Sequence, residues 1–189
     1  LAHGEYEADD LIGSALHAAR PRGFRGVIVS ADKDMSQLLM ESDEQWDFAR
    51  GQRWGMAGVK SRHGVEATQI ADYLALTGDA VDNIPGVPGI GPKTAATLLS
   101  HFGSLHELLD KVDEIPYLRL RSAAQHCQKL REHRDMALLS RKLATIRCDI
   151  PLADEQTLGM RGPSDQNALT ALIVQLRFGP LTRRRLISL

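Results

Sequence analysis

Residues 78–98 read GDAVDNIPGVPGIGPKTAATL, from Gly78 to Leu98. Two carboxylates three residues apart, Asp79 and Asp82, run straight into a glycine- and proline-punctuated hairpin that opens a helix. Gly89 and Gly91 permit close backbone approach and φ angles closed to other residues. Pro92 suits the first helical position, where its missing N–H is no loss. Lys93, Thr94 and the free N–H groups of the opening helix, at the positive end of its dipole, suit a phosphate. An interhelical turn would also use glycine and proline. The ordered Gly-x-Gly-Pro-Lys-Thr ahead of apolar Ala95, Leu98 and Leu99 is more specific than a turn requires. A Walker P-loop is excluded, because it needs more residues between its glycines and a strand before them.

Upstream of this stretch the pattern is α/β. Leu11, Ile12, Ala15, Leu16 and Ala19 recur at helical spacing, so residues 8–19 are expected to form an amphipathic helix, ended by Arg20-Pro21-Arg22-Gly23. Val27-Ile28-Val29 is a short apolar run with the look of a buried parallel strand. Residues 34–39 read as a brief helix, and 45–54 alternate around Gly51 as a hairpin or pair of edge strands. After Ala67 the chain reads as almost wholly helical, with breaks at 85–92, 103 and 116.

Three acidic clusters fall at element ends. Glu7, Asp9 and Asp10 sit in the first turn of the first helix, where one or two acids would serve the dipole and three exceed that need. Asp32 and Asp34 follow the apolar run, at the carboxyl end of a parallel strand, where α/β proteins build sites. Asp79 and Asp82 form the third, although both also suit turns. Three independent caps explain this poorly, and gathered carboxylates repel one another without cations. Two hard divalent ions, Mg²⁺ or Mn²⁺, are the expected occupants. Such a pair can activate water and stabilise a phosphodiester's transition state without His or Cys ligands.

Composition agrees. The 189 residues are 43% hydrophobic and 25% charged, sufficient for one or two globular domains. No apolar run approaches the roughly 18 residues of a membrane span. Cys127 and Cys148 lack metal or redox spacing and read as reduced thiols of a cytoplasmic protein. The formal net charge of −1 conceals a split. Up to Gly86 there are 8 Lys and Arg against 14 Asp and Glu, and from Val87 onward 15 against 10. Chance variation of solvated surface can give such a split, and an acidic metal-holding half beside a basic half is also the asymmetry expected of a nucleic-acid partner.

These motifs together resemble the 5′-to-3′ exonuclease and flap-endonuclease family, which includes the 5′ nuclease domain of bacterial DNA polymerase I and stand-alone relatives. The resemblance rests on Tyr6-Glu7-Ala8-Asp9-Asp10, on residues 31–39 (ADKDMSQLL), on residues 72–95 through the hairpin, and on Leu143-Ala144-Thr145-Ile146-Arg147. It implies a partial PIN-like α/β domain over 1–66, then a mostly helical helix-three-turn-helix DNA-binding domain over 67–189, with a helix-hairpin-helix at 84–99. It implies two-metal cleavage of DNA at 5′ ends and flaps in replication and repair, with no obligate protein partner. By similarity, Glu7, Asp9 and Asp10 serve mainly one divalent ion, and Asp32, Asp34, Asp79 and Asp82 mainly the other. Backbone carbonyls of Val87 and Ile90 would hold a K⁺ that bridges to a DNA phosphate, with Gly89, Gly91, Lys93 and Thr94 against the backbone.

The departure lies at the front. Family members carry an earlier Asp-bearing strand, a further metal-site Asp and a helical arch ahead of the Tyr-Glu-Ala-Asp-Asp segment. The chain is therefore expected to be a piece whose first metal site lacks two carboxylates. A non-catalytic DNA-binding module that uses only the hairpin is the alternative. A haloacid-dehalogenase-like phosphohydrolase fits worse, because no second strand-helix unit follows Asp32-x-Asp34.

Overall fold

The computed structural model describes residues 4–152 and 162–187, and the chain divides into two compact units, 1–153 and 154–189. The expected boundary at 66/67 falls inside the first unit. Residues 153–161 and 188–189 of the expected helical domain lie outside the described residues.

The first unit begins with α1 (Ala8–Ala19), which continues as one 3-10 turn, Arg20–Arg22, and stops at Gly23, whose φ of 81° is left-handed. Strand β1 (Val27–Val29) pairs in parallel with β2 (Glu44–Asp47), which forms an antiparallel hairpin with β3 (Gln52–Gly55). Parallel pairing is as expected for 27–29, but full burial is not. Among the described residues β1 is one edge of the sheet: Ile28 is buried while Val27 and Val29 are 47% and 60% exposed. One apolar face packs on the core, and the other side chains of the run point away from it.

The loop after β1 is fixed by a small buried polar network. Gln45 on β2 donates to the carbonyls of Ser30 (3.1 Å) and Asp32 (2.5 Å). Its oxygen accepts from the Ser36 hydroxyl at 2.7 Å, which in turn receives the Trp54 indole N–H at 3.2 Å. Ser36 and Gln45 are fully buried, so each polar atom needs these partners. The start of β1 is held in the same way. The Asp43 carboxylate takes the N–H groups of Gly26 and Met40 and ion-pairs with Arg20. The Arg20 guanidinium and those N–H groups, outweighing burial, hold Asp43 below the ordinary carboxylate range.

Beyond the hairpin come α2 (Met56–His63), α3 (Ile70–Thr77), α4 (Pro92–Phe102), α5 (Leu105–Asp110), α6 (Ala123–Glu132) and α7 (Arg134–Ala144). Helical spacing places Ile70 and Leu74 of α3, Leu98 and Leu99 of α4, and Leu105 and Leu108 of α5 in one core, which also takes Ile28 and Trp54 from the sheet. Each such fully buried Leu or Ile contributes roughly 1.5–3 kcal/mol. Asp72 locks three helices: it accepts the Leu105 N–H at 2.9 Å and the Arg141 guanidinium at 2.5 Å. The second unit contains α8 (Gln166–Gln175), capped by the Asp165 carboxylate, and α9 (Pro180–Ile187). Among the described residues no helix is long and apolar enough to cross a membrane.

Candidate metal centre and nucleic-acid interface

Glycine backbone geometry builds this site. Gly78 ends α3 with φ 72°, and Gly86 (φ 65°) returns against it closely enough that neither could carry a Cβ without striking the other strand's backbone. Between them Asp79 and Ile84 exchange both backbone hydrogen bonds at 2.8 Å, which folds residues 79–84 into a tight loop. The Asp79 carboxylate accepts the Val81 N–H at 2.9 Å within that loop. The Asp32 carboxylate likewise accepts the Asp34 N–H at 3.0 Å, so the turn chemistry of both acids is real and does not exclude a second role.

The two loops bring Asp34, Asp79 and Asp82 together, with one carboxylate oxygen from each within 4.8 Å of the others. Asp34 and Asp79 are buried and Asp82 is exposed. One Asp34 oxygen is buried with no hydrogen-bond partner. Burial first, then repulsion from Asp32 and more weakly from Asp79 and Asp82, pushes the Asp34 carboxyl up to about 7. Lys33 is the opposing charge there. Its ammonium sits 2.5 Å from the second Asp79 oxygen and, outweighing burial, holds Asp79 below the usual range.

Six of the seven anticipated acids (Glu7, Asp9, Asp10, Asp32, Asp34 and Asp82) line one cavity of about 280 Å³, whose far wall is Leu143 to Ile146. Glu7, Asp9 and Asp10 do not close to the 4.8 Å spacing of the other cluster among the described residues. Asp10 is occupied with the backbone: it accepts the Glu7 N–H at 3.4 Å and the Arg147 N–H at 2.8 Å. Asp9 is raised by burial first, then by repulsion from Asp32, Glu7, Asp10 and Asp82, so its charge faces both clusters. Gln37 fixes the far wall, donating to the Ala144 carbonyl and accepting from the Ile146 N–H, both at 3.0 Å.

The hairpin lies on the other side of Gly86. Its base is held by the Gly86 N–H on the Ser140 hydroxyl (3.2 Å) and the Val87 N–H on the Leu76 carbonyl (2.9 Å). Ile90 N–H closes the turn onto the Val87 carbonyl at 3.0 Å. Of the two expected special glycines, only Gly89 has a left-handed φ, 80°. Gly91 caps α4 with an ordinary φ of −90° and has open space where a Cβ would stand. Lys129 of α6, which nothing in the linear sequence ties to the hairpin, lays its ammonium directly against Gly89. Gln45 and Ser140 carry no signal in the linear sequence, and Ser36 and Gln37, though within the 31–39 motif, carry none for the hydrogen bonds they make. Lys33 was in view within its motif but carried no assigned role.

Comparison with known proteins gives this geometry a family. Residues 65–166 match the family model described as 5′-3′ exonuclease, C-terminal SAM fold. The chain is 37% identical to DNA polymerase I of Rhizobium leguminosarum over 179 residues, 95% of the chain and 17% of that protein. It is 38% identical to flap endonuclease Xni of Shewanella amazonensis over 150 residues, 79% of the chain and 56% of that protein. The chain thus spans about a sixth of that polymerase and a little over half of the stand-alone enzyme. Its fold matches the T5 D15 protein co-crystallised with metal ions, with a TM-score of 0.66 at 22% identity, over 76% of the chain and 51% of that structure. The family model covers residues 65–166, more than half of the chain, and takes in both Asp79 and Asp82 and the glycine hairpin: the chain belongs to the 5′-3′ exonuclease family.

Proposed function

We propose that the chain carries the metal- and DNA-holding parts of a structure-specific 5′-3′ exonuclease or flap endonuclease that hydrolyses DNA phosphodiesters in replication and repair, in the cytoplasm. The observation that carries the reading is the convergence of Asp34, Asp79 and Asp82 at the foot of a cavity lined by four more acids, one bonded loop away from a phosphate-suited hairpin. The donor set fits a hard divalent cation, because the buried Asp34 oxygen has no partner and three carboxylates offer converging oxygens there.

In this reading residues 1–66 supply Glu7, Asp9, Asp10, Asp32 and Asp34, and residues from 67 onward supply Asp79, Asp82 and the DNA clamp. Asp34, Asp79 and Asp82, with Asp32 shared, would hold one Mg²⁺ or Mn²⁺; Glu7, Asp9 and Asp10 would serve the other. Bound there, such ions would supply the means to activate water and to stabilise charge on the phosphate. The N–H groups at the start of α4, with Lys93 and Thr94, grip duplex phosphates, and the carbonyls of Val87 and Ile90 are the proposed seat of a bridging K⁺. Lys129 adds a second positive charge against the same turn.

The competing reading, a DNA-binding module without catalysis, draws on Asp10, whose carboxylate is committed to two backbone N–H groups. Incubation with a 5′-flap duplex in Mg²⁺ or Mn²⁺ separates the two. Release of the flap supports the nuclease, and retention of an intact substrate supports the module. Hydrolysis of small phosphomonoesters alone would point to phosphatase chemistry and sink both.

The clamp has its own test. Lys93→Ala should weaken binding about equally for unrelated duplexes and lower the log–log salt slope by roughly one unit at most, because a single phosphate contact is lost. Binding isotherms at several salt concentrations measure this. An unchanged slope and affinity would reduce the hairpin to an interhelical turn.

A further inference from the structure

Lys33 stands in sequence between two of the anticipated metal ligands, Asp32 and Asp34, and its ammonium pairs with another, Asp79. It lies 2.5 Å from one Asp79 oxygen, while the other oxygen of that carboxylate is held by the Val81 N–H. The Asp79 side chain is 6% exposed and that of Lys33 39%. Asp79 nevertheless belongs to the one described group of three acids whose ligand oxygens gather within 4.8 Å. Whichever Asp79 oxygen turns to a metal already has a partner. Asp34, beside it, has an oxygen with none.

From this geometry we infer that Lys33 is a resident counter-cation of the Asp34–Asp79–Asp82 cluster, which a divalent ion must displace on entering. The inference rests on the metal-binding reading above and adds a residue to it. A single ammonium neutralises only part of three gathered carboxylates and reaches Asp79 through a flexible four-carbon stem. A divalent ion answers three oxygens at once with twice the charge. It therefore wins, but its binding free energy is reduced by the ion pair it breaks. Lys33 thus sets the cation concentration at which the cluster fills. The freed ammonium, on the residue between Asp32 and Asp34, then becomes a positive charge available to a phosphate.

Two readouts on the chain, neither of them activity, test this. In calorimetric titration with Mn²⁺, Lys33→Met should bind about fivefold more tightly than the wild type, the upper range for one partly exposed ion pair. Lys33→Gln should behave alike, and Lys33→Arg, which keeps the charge, should stay near wild type. In the second readout, acylation of Lys33 by an amine-reactive ester, followed by peptide mass analysis, should speed up severalfold when Mg²⁺ is added. Wild-type Mn²⁺ binding with equal or weaker binding in both neutral variants would overturn the role of Lys33 and leave the metal site standing. A labelling rate that Mg²⁺ leaves unchanged or slows would do the same. If the wild type itself took up no Mn²⁺, both the inference and the metal reading would fall.

Discussion

Replacing Asp34 by Asn should raise the melting temperature of the metal-free chain at neutral pH while weakening Mn²⁺ binding by at least roughly a hundredfold, beyond the loss seen for groups that only support a ligand. The two effects share one cause. Asp34 is 7% exposed, has an unpartnered oxygen, and is pushed up to about 7 by burial and by Asp32. Its folded value lies above the ordinary carboxylate range, so the folded chain holds the extra proton. Stability from that proton is fully present below about pH 4 and is lost as pH rises towards 7. Asparagine has no proton to lose. The difference in melting temperature between variant and wild type should therefore open between pH 4 and 7 and level off above. Metal needs the ionised form, so below pH 7 Mn²⁺ uptake by the wild type should release a proton and uptake by the variant should not. Calorimetry in buffers of different ionisation enthalpy reads the proton directly. Where flap cleavage is observed, Asp34→Ala should reduce it at least about a hundredfold, as expected when charge stabilisation at the phosphate is lost. Parallel pH profiles for the two proteins, or unchanged Mn²⁺ affinity, would make Asp34 an ordinary buried acid.

What the sequence disclosed and what it hid divide along physical lines. Helix 8–19, the parallel strand at 27–29 and the hairpin at 45–54 follow from local periodicity, which depends on neighbours a few residues away. The acidic residues were legible because charge gathered at element ends is costly without a purpose. The exposure of Val27 and Val29 is not legible in the sequence, since a three-residue apolar run does not say how many of its faces find partners. The glycines were misassigned for a similar reason. Gly91 was expected to be special for its φ, whereas the left-handed positions are Gly78, Gly86 and Gly89. Composition says that a glycine is needed, and only the path of the other strand says where. Gln37, Gln45 and Ser140 act across 107, 15 and 54 residues, so no window along the chain could have connected them to the loops they hold. Asp79 shows the limit most clearly. Gathered carboxylates repel one another, yet nothing in the sequence says that Lys33 pairs with Asp79, so that an Asn there would break an ion pair as well as relieve repulsion.

Gly86→Ala should be the most damaging small substitution in the hairpin, costing roughly 2–5 kcal/mol, because it adds a strained φ to an overpacked contact. Gly86 has φ 65°, and a Cβ there would collide with the Gly78 backbone nitrogen and stand 2.7 Å from the Gly78 Cα and the Thr77 carbonyl carbon. Backbone cannot swing aside as a lysine tip can, so the end of α3 and the hairpin base must separate. That separation pulls on the Gly86 N–H to Ser140 and the Val87 N–H to Leu76, which seat the hairpin, and on the Asp79–Ile84 pairing, which shapes the acidic loop. For a chain of this length the melting temperature should fall by roughly 5–15 °C. Mn²⁺ affinity and duplex affinity should fall together, since one joint positions both sites. Gly91→Ala is the control. With φ −90° and nothing within 4 Å of the added Cβ, it should change stability by no more than about 0.5 kcal/mol and leave Mn²⁺ binding alone. Its effect should be confined to the duplex, where the DNA backbone approaches the α4 terminus. A Gly86→Ala protein that melts and binds Mn²⁺ like the wild type would show that hairpin and acidic loop are independent, and that their adjacency in sequence is not the mechanical coupling that this geometry implies.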